Sequence, residues 1–250
     1  MTRQRGCLER CRRWRRGQSP QRDAPQSRPC EGVRQSSSNL VSRVAARRRR
    51  GHYILSVLHS SAPFESIKSS PTYQRPDLLQ KAWELPVAKL YSPLLPQGFT
   101  SICGPTSVAN VLRSMRLPAR RNPLRGFGLR PMSLDQLASE AAEVVPPDWY
   151  VRAVRPQTVD ELRHELRASN DQGRRYVTNF ARWSLFGGGG GHHSPLGGFL
   201  EHEDLAFVLD VNPSFGPWLV SPQRLFDAMN TKADLSTGKT RGLARFERSA

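Results

Sequence analysis

A cysteine, a histidine and an aspartate occur in this chain in an order and in surroundings that suit nucleophilic catalysis. Cys103 directly precedes an amphipathic segment, with apolar residues recurring over 108–115 at the spacing of a helix. A thiol at a helix start ionises readily, because unpaired N–H groups and the helix dipole stabilise a thiolate. His192 could act as the base and Asp210 as its orienting acid. The alternative is that Cys103 is a buried, inert thiol.

His192 and Asp210 flank a predicted β-hairpin with its turn around residues 201–204. Residues equidistant from such a turn lie side by side, so the carboxylate could hydrogen-bond the imidazole and orient it. Adjacent side chains on a strand point to opposite faces, and we expect only one of His192 and His193 to face a cleft. The alternatives are a structural role for Asp210 and a zinc site that also includes His202.

The segments around these residues predict an α+β domain. Apolar spacing and capping signals predict helices over 78–85, after Cys103, and from Ser133, Thr158 and Ser221. Short apolar runs predict strands over 176–180, 197–200, 205–211 and 242–247. Since most helices precede the strands, we expect a helical half that carries the nucleophile and an antiparallel sheet half that carries the histidine and the aspartate.

The net charge of +17 is concentrated in the first 50 residues, which hold 15 arginines and three acidic residues. The other 200 residues carry 23 basic and 18 acidic groups, as an ordinary globular domain does. We therefore predict an Arg-rich disordered tail or leader over 1–60, a Pro/Ser linker over 61–76 and a catalytic domain over 77–250. The tail would bind nucleic acid only non-specifically.

The tail leaves the location of the protein open. An Arg- and Ser-rich, acid-poor leader is typical of organellar transit peptides, while a disordered extension, a misassigned start and a polyanion-binding arm are the alternatives. We expect a cytoplasmic protein, with organellar targeting as the other interpretation. No apolar stretch is long enough to span a membrane.

The cysteine count argues against a structural metal or a disulfide framework. Cys103 is the one cysteine after residue 60, and the spacing of Cys7, Cys11 and Cys30 matches no common zinc module. We therefore predict no metal site. Gln97, six residues before the thiol, could share with the Cys103 backbone N–H the stabilisation of an oxyanion, unless it is an ordinary surface residue.

Taken together, these residues resemble the catalytic core of phytochelatin synthases, papain-like glutathione γ-glutamylcysteinyltransferases. The resemblance covers about residues 75–248 and rests on four motifs. They are Gln97-x5-Cys103-Gly104, Gly-Gly-Gly-His192-x-Ser194-Pro195-x-Gly197-Gly198, Leu209-Asp210-Val211 and Asp234-x-Ser236-Thr237-Gly238-Lys239-x-Arg241-Gly242. His193 stands where the family usually has Phe or an aliphatic residue.

The resemblance implies a papain-like fold with Cys103 as nucleophile, His192 as general base and acid, Asp210 as its orienter and Gln97 as an oxyanion donor. It also implies that Arg182, Gly197 and Gly198 contact substrate. The implied reaction attacks the Cys–Gly amide of glutathione, or of a related γ-glutamyl peptide, releases glycine and passes γ-Glu-Cys to glutathione or water. No cofactor is implied in the core, whereas Cd or Zn ions could act as activators or as thiolate complexes of the substrate. A homodimer stays open.

The sequence departs from the family after the aspartate. Plant-type members have Asp-Val-Ala-Arg, whereas this chain has Asp210-Val-Asn212-Pro213. The Cys-rich C-terminal half of the plant enzymes is also missing. Both departures favour hydrolysis over polymerisation. The alternatives are a papain-like cysteine peptidase with another peptide substrate, such as a leader peptide, and a basic nucleic-acid-associated protein with an inactive core.

Overall fold

An antiparallel sheet forms the centre of the computed structural model, which describes residues 64–99, 101–124, 131–232 and 237–249. The six strands stand in the order β1-β6-β2-β3-β4-β5, and each neighbouring pair is antiparallel. Their bounds are β1 (Trp149–Val154), β2 (Arg174–Ala181), β3 (Gly191–Leu200), β4 (Leu205–Val208), β5 (Trp218–Val220) and β6 (Gly242–Arg248). The antiparallel sheet of the sequence prediction is confirmed.

Seven α-helices accompany the sheet in the described segments, and three of them begin at Ser or Thr caps that the sequence contains. The seven helices are α1 (Pro76–Trp83), α2 (Pro86–Lys89), α3 (Cys103–Ser114), α4 (Leu134–Ala142), α5 (Val159–Ala168), α6 (Arg182–Phe186) and α7 (Pro222–Met229), preceded by a 3-10 turn at Ile67–Ser69. Ser133 forms a complete capping box with Gln136 at the start of α4. At α5 only half of the predicted box forms, because the Glu161 carboxylate accepts from the N–H of Gln157 instead of that of Thr158.

Helices cover both faces of the sheet. Successive residues of a strand point to opposite faces, so each face has an apolar cluster of its own. Val177 and Phe207 pack with α1–α4 in one apolar cluster, the first face. Tyr176 and Phe180 pack with α5–α7 in a second cluster on the opposite, second face. The α+β class is therefore confirmed, but the helical and sheet halves are less separate than expected. In the chain, β1 lies between α4 and α5, and three helices cover the second face.

Several element bounds differ from the prediction. Strand β3 begins at Gly191 instead of residue 197, since the polar His192-His193-Ser194 stretch is paired with β2 and lacks the apolar character that marks a strand in sequence. Strand β4 ends at Val208. Residues 64–76 are more than a linker, because Ile67 and Tyr73 are buried in the second cluster.

The predicted tail, residues 1–60, lies outside the described residues. Its disorder, targeting and nucleic-acid binding stay predictions. Among the helices that the structure describes, none combines the length and the apolar character needed to cross a membrane.

Candidate active site

Cys103 is the first residue of α3, where the N–H groups of the first helical turn lack helical partners. The thiol is buried. A Cβ at the next position, Gly104, would come within 2.5 Å of Met132 Sδ and 2.9 Å of Leu137 Cδ1. The glycine therefore permits the close approach of the α3 N-terminus to α4, and this approach fixes where the thiol lies.

The β3–β4 hairpin joins His192 to Asp210, as predicted. Leu200 pairs with Leu205 at the turn, and a bulge between Leu196 and Gly198 shifts the register further along. The His192 Nε2 lies 2.9 Å from Oδ1 of Asp210, and both side chains are buried. This contact leaves Nδ1 as the ring nitrogen available to Cys103.

The Asp210 carboxylate accepts from three further donors. Arg182 Nη2 lies 2.8 and 2.9 Å from its two oxygens, Trp218 Nε1 donates over 3.0 Å, and the backbone N–H of Asn212 over 2.9 Å. Burial would raise the pKa of Asp210, but the hydrogen bond and charge of His192, the charge of Arg182 and the Trp218 bond hold this pKa below its ordinary value. The carboxylate is therefore ionised at neutral pH.

Both adjacent histidines reach the thiol, so the expectation that only one of them faces it is wrong. Nδ1 of His193 lies 3.9 Å from Cys103 Sγ, and His192 lies close enough to the thiol to lower its pKa. The reason is that β3 has an open edge here: β2 pairs with His192 and His193, whereas the pairing with β4 begins at Leu196. Ser107 Oγ of α3 donates to the His193 carbonyl over 3.1 Å, which places the first turns of α3 beside this open edge of β3.

These contacts favour an ion pair between thiolate and imidazolium. Burial would raise the pKa of the Cys103 thiol, but hydrogen bonds with His192 and His193 hold it well below its ordinary value. Burial would lower the pKa of His192, yet its bonds with Asp210 and with Cys103 raise that pKa above its ordinary value. A nucleophile ionised beside a protonated imidazole can attack a carbonyl and then protonate a leaving group.

Gln97 is buried beside the same strand end. Its backbone N–H donates to the carbonyl of Val211 over 2.8 Å, directly after Asp210. Its Oε1 is buried with no hydrogen-bond partner among the described residues. This burial excludes the alternative of an ordinary surface glutamine, whereas the oxyanion role stays a prediction.

The three predicted substrate-binding residues have contacts of other kinds. Arg182 binds Asp210, and its guanidinium stacks on Phe215 at 3.9 Å from the ring centroid. A Cβ at Gly197 would come within 2.6 Å of the Phe207 ring, and one at Gly198 within 2.7 Å of Leu85. Both glycines therefore serve close packing at the β3 bulge, and a substrate contact of any of the three stays untested.

Other predicted residues are not brought to the site. His202 lies in the exposed β3–β4 turn, at the far end of the hairpin from His192 and His193, so these three histidines do not converge. Two residues of the fourth motif, Asp234 and Ser236, lie outside the described residues.

Sequence reasoning missed the aromatic support of Asp210. Trp218 is fully buried, stacks on Tyr73 and meets Phe180 edge-on. Burial and the nearby Asp210 charge raise the pKa of Tyr73 to about 12, so this phenol stays neutral. The available signal was a Trp eight residues after an Asp that follows a buried strand, since a buried indole N–H needs an acceptor.

The fold and the site together define the class of the protein. A buried cysteine at a helix N-terminus meets a histidine and an aspartate carried by an antiparallel sheet, which is the papain-like α+β arrangement. The phytochelatin synthase family model matches residues 129–243, which confirms the resemblance to that family over this segment. The match includes His192 and Asp210, while Gln97 and Cys103 precede it.

Curated relatives match this chain over about 90 residues. Glutathione gamma-glutamylcysteinyltransferase 2 of Arabidopsis thaliana is 33% identical over 93 residues, which are 36% of this chain and 20% of that protein. Glutathione gamma-glutamylcysteinyltransferase 1 of Triticum aestivum is 36% identical over 87 residues, which are 34% of this chain and 17% of that protein. The aligned segment thus spans about a fifth of these relatives.

The solved structures to which this chain is similar include the peptidase domain of Streptococcus ComA, a bi-functional ABC transporter involved in a quorum sensing pathway. It is 18% identical, with a TM-score of 0.43, and the match covers 63% of this chain and 98% of that domain. The peptidase domain of Streptococcus mutans ComA is also 18% identical, with a TM-score of 0.37 over 61% of this chain and 95% of that domain.

Proposed function

We propose that this protein is a thiol acyltransferase or peptidase that attacks the Cys–Gly amide of glutathione or a related γ-glutamyl peptide. The observation that carries the proposal is that Cys103, His192 and Asp210 meet at one buried site, with His192 hydrogen-bonded to Asp210 and lowering the pKa of the thiol. It occurs in a chain whose residues 129–243 match the phytochelatin synthase family. The names of the curated relatives support glutathione as the substrate.

In the first half of the proposed reaction, the Cys103 thiolate attacks the carbonyl carbon of the Cys–Gly amide and a C–S bond forms. The Gln97 side-chain amide and the Cys103 backbone N–H would donate to the resulting oxyanion. The His192 imidazolium then gives its proton to the glycine nitrogen, and the C–N bond breaks. Glycine leaves, and γ-Glu-Cys is held as a thioester.

In the second half, neutral His192 accepts a proton from the attacking acceptor. The acceptor is water, which yields γ-Glu-Cys, or the amino group of a second glutathione, which yields a longer peptide. The thioester C–S bond breaks and the thiolate is restored. Asp210 keeps the imidazole oriented throughout and stabilises its charged form.

We infer that water is the main acceptor. The segment after Asp210 departs from the plant-type sequence, and here it builds contacts around the carboxylate. Asn212 donates its backbone N–H to Asp210, and the Phe215 ring stacks on Arg182. The segment also has no basic side chain at the position where plant-type members carry one. Without that positive charge, the binding of a second, anionic glutathione is disfavoured.

The test is to incubate the purified full chain with glutathione, with and without Cd²⁺, and to analyse the products by mass spectrometry. We expect glycine and γ-Glu-Cys. Longer (γ-Glu-Cys)ₙ-Gly products would instead make transfer to glutathione the main reaction. A rate increase that depends on Cd²⁺ would support a metal–thiolate complex as substrate or activator. The Cys103→Ser variant should release no glycine.

Failure to release glycine, in a folded protein whose Cys103 is reactive, would overturn the assignment to glutathione. A cysteine peptidase that trims leader peptides would then be tested with α-peptides containing Gly-Gly sites. An unreactive Cys103, together with salt-sensitive nucleic-acid binding that is lost on removal of residues 1–60, would instead support the nucleic-acid-associated alternative.

A further inference from the structure

The thiol has a second imidazole neighbour beyond the His192–Asp210 pair. His193 is 3% exposed, and its Nδ1 lies 3.9 Å from Sγ of Cys103, within hydrogen-bonding range for sulfur. No other hydrogen bond competes for this ring nitrogen among the described residues. The position is therefore a direct contact with the reacting atom.

The fold holds this ring in place from two sides. His193 pairs with Asn179 across β2 and β3, which places its side chain on the first face of the sheet, where α3 lies. Ser107, one helical turn after Cys103, donates its hydroxyl to the His193 carbonyl. The α3 backbone that carries the thiol and the β3 backbone that carries the imidazole are thus tied together, so the contact follows from the packing.

The burial of the other ring nitrogen favours one tautomer. Nε2 of His193 is buried with no hydrogen-bond partner among the residues that the structure describes. If the thiol donated to Nδ1, Nε2 would carry the ring hydrogen, and a buried donor without acceptor costs about 1–3 kcal/mol. If Nδ1–H donates to a thiolate, Nε2 is an unpaired acceptor only. The second arrangement leaves no donor unsatisfied.

We propose that His193 is a further catalytic residue, which donates a hydrogen bond from Nδ1–H to the Cys103 thiolate. The two histidines then divide the work. His192 gains and loses a proton during the proposed reaction, while His193 keeps its hydrogen and stabilises the thiolate before attack and again when the thioester breaks. This inference extends the proposed function, but the ionisation of the thiol can be measured without any substrate.

Among the residues that the structure describes, few other charges near the thiol could produce the effect. From β3, His192 and His193 face it; Asp210 and Arg182 lie behind His192, on the other side of that ring. Where α4 approaches α3, the contacts are apolar. On α3 itself, Arg113 is at the opposite end of the helix. The pKa of Cys103, lowered by both imidazoles against the effect of burial, agrees with this account.

The test is the pH dependence of iodoacetamide alkylation at Cys103 in the full chain. The extent of alkylation is read by mass spectrometry from the peptide that contains Cys103, because Cys7, Cys11 and Cys30 also react. The acid limb of the profile is the pH range over which alkylation speeds up as the thiol ionises. We expect His193→Leu to shift this limb to higher pH by about one unit. At a fixed pH on the limb, the alkylation rate would then fall about tenfold. Above the limb, the less stabilised thiolate should react about threefold faster, since nucleophilicity rises with thiol pKa.

Two amide variants separate hydrogen bonding from packing. The Asn side-chain amide can reach the position of Nδ1, so His193→Asn should keep the limb near its wild-type pH. The Gln amide reaches the position of Nε2, so His193→Gln should move the limb as His193→Leu does. An unchanged limb in folded His193→Leu would overturn the inference; if that variant does not fold, equal limbs in the Asn and Gln variants would overturn it.

The inference and the proposed function fail in different ways. A wild-type protein that releases no glycine from glutathione, while His193→Leu still moves the alkylation limb, would contradict the proposed substrate and support the role of His193. Glycine release, together with an alkylation limb that is unchanged in His193→Leu, would support the proposed substrate and contradict the role of His193.

Discussion

The carboxylate of Asp210 lies 2.9 Å from Nε2 of His192, a residue 18 positions earlier on the neighbouring strand. This bond fixes the ring so that Nδ1 is available to Cys103. Because Arg182 and Trp218 also bind the carboxylate, the aspartate is held ionised in a buried position. The chemistry of the thiol therefore depends on a carboxylate that does not touch it.

Loss of the thiol or of its base should abolish turnover. We expect Cys103→Ser and His192→Ala each to lower glycine release from glutathione by more than about 1,000-fold, because the nucleophile and its proton carrier act as a unit. His202→Ala, at an exposed turn position, is the matched control and should retain full activity. A His192→Ala variant that stays active would show that His192 is not the base.

The activity should depend on pH with two limbs. Turnover needs ionised Cys103 and protonated His192, and their contacts lower the pKa of the first and raise the pKa of the second. The rate should therefore rise with pH through a limb below the ordinary thiol pKa of about 8.5 and fall through one above the ordinary imidazole pKa of about 6.5. Initial rates of glycine release measured across pH check this. A single limb near pH 8.5 would contradict the ion pair.

Replacing Asp210 by Asn should cost both activity and stability. The neutral amide leaves buried Arg182 without its counter-charge, and we expect a loss of about 3 kcal/mol in the free energy of unfolding by urea. Turnover should fall by at least about 100-fold, since His192 loses its orienting charge. The exposed Asp227→Asn variant should change stability by less than about 0.5 kcal/mol.

The same aspartate predicts a dependence of stability on pH. Its pKa in the folded protein is lower than in the unfolded chain, where about 3.9 is ordinary, so the unfolded state binds more protons between these values. The stabilising contribution is present above about pH 4 and is lost as pH falls through the folded pKa. The difference in unfolding free energy between wild type and Asp210→Asn should therefore shrink at low pH. A constant difference would contradict the assignment.

Gly197 should prove to be a packing residue. A methyl group there would press on the buried Phe207 ring, and we expect Gly197→Ala to lower the free energy of unfolding by about 1–3 kcal/mol. Gly188→Ala is the matched control, because its added Cβ would meet no atom within 4 Å. Urea unfolding of both variants gives the comparison. A stable Gly197→Ala protein with a raised KM for glutathione would instead support substrate contact at this residue.

Much of the fold could be predicted because its signals are local. The Ser133 box, the Thr158 hydroxyl and Ser221 cap α4, α5 and α7 as expected, since a cap depends on residues three or four positions apart. The β3–β4 hairpin was predicted for the same reason, because its turn joins neighbouring strands. Strands β1 and β5 were missed, because β1 pairs with β6, which lies far along the chain, and β5 has only three residues.

The sequence by itself determined which side chains could react: a thiol at the start of a helix, an imidazole before a hairpin and a carboxylate after it. Only the tertiary structure decided that both adjacent histidines reach the thiol, and that Arg182 and Trp218 serve Asp210. The physical reason is that residues close in the sequence decide where a helix begins and therefore which reactive side chain stands at its start. Contacts between residues 28 or 90 positions apart depend instead on strand register, a bulge and an open sheet edge.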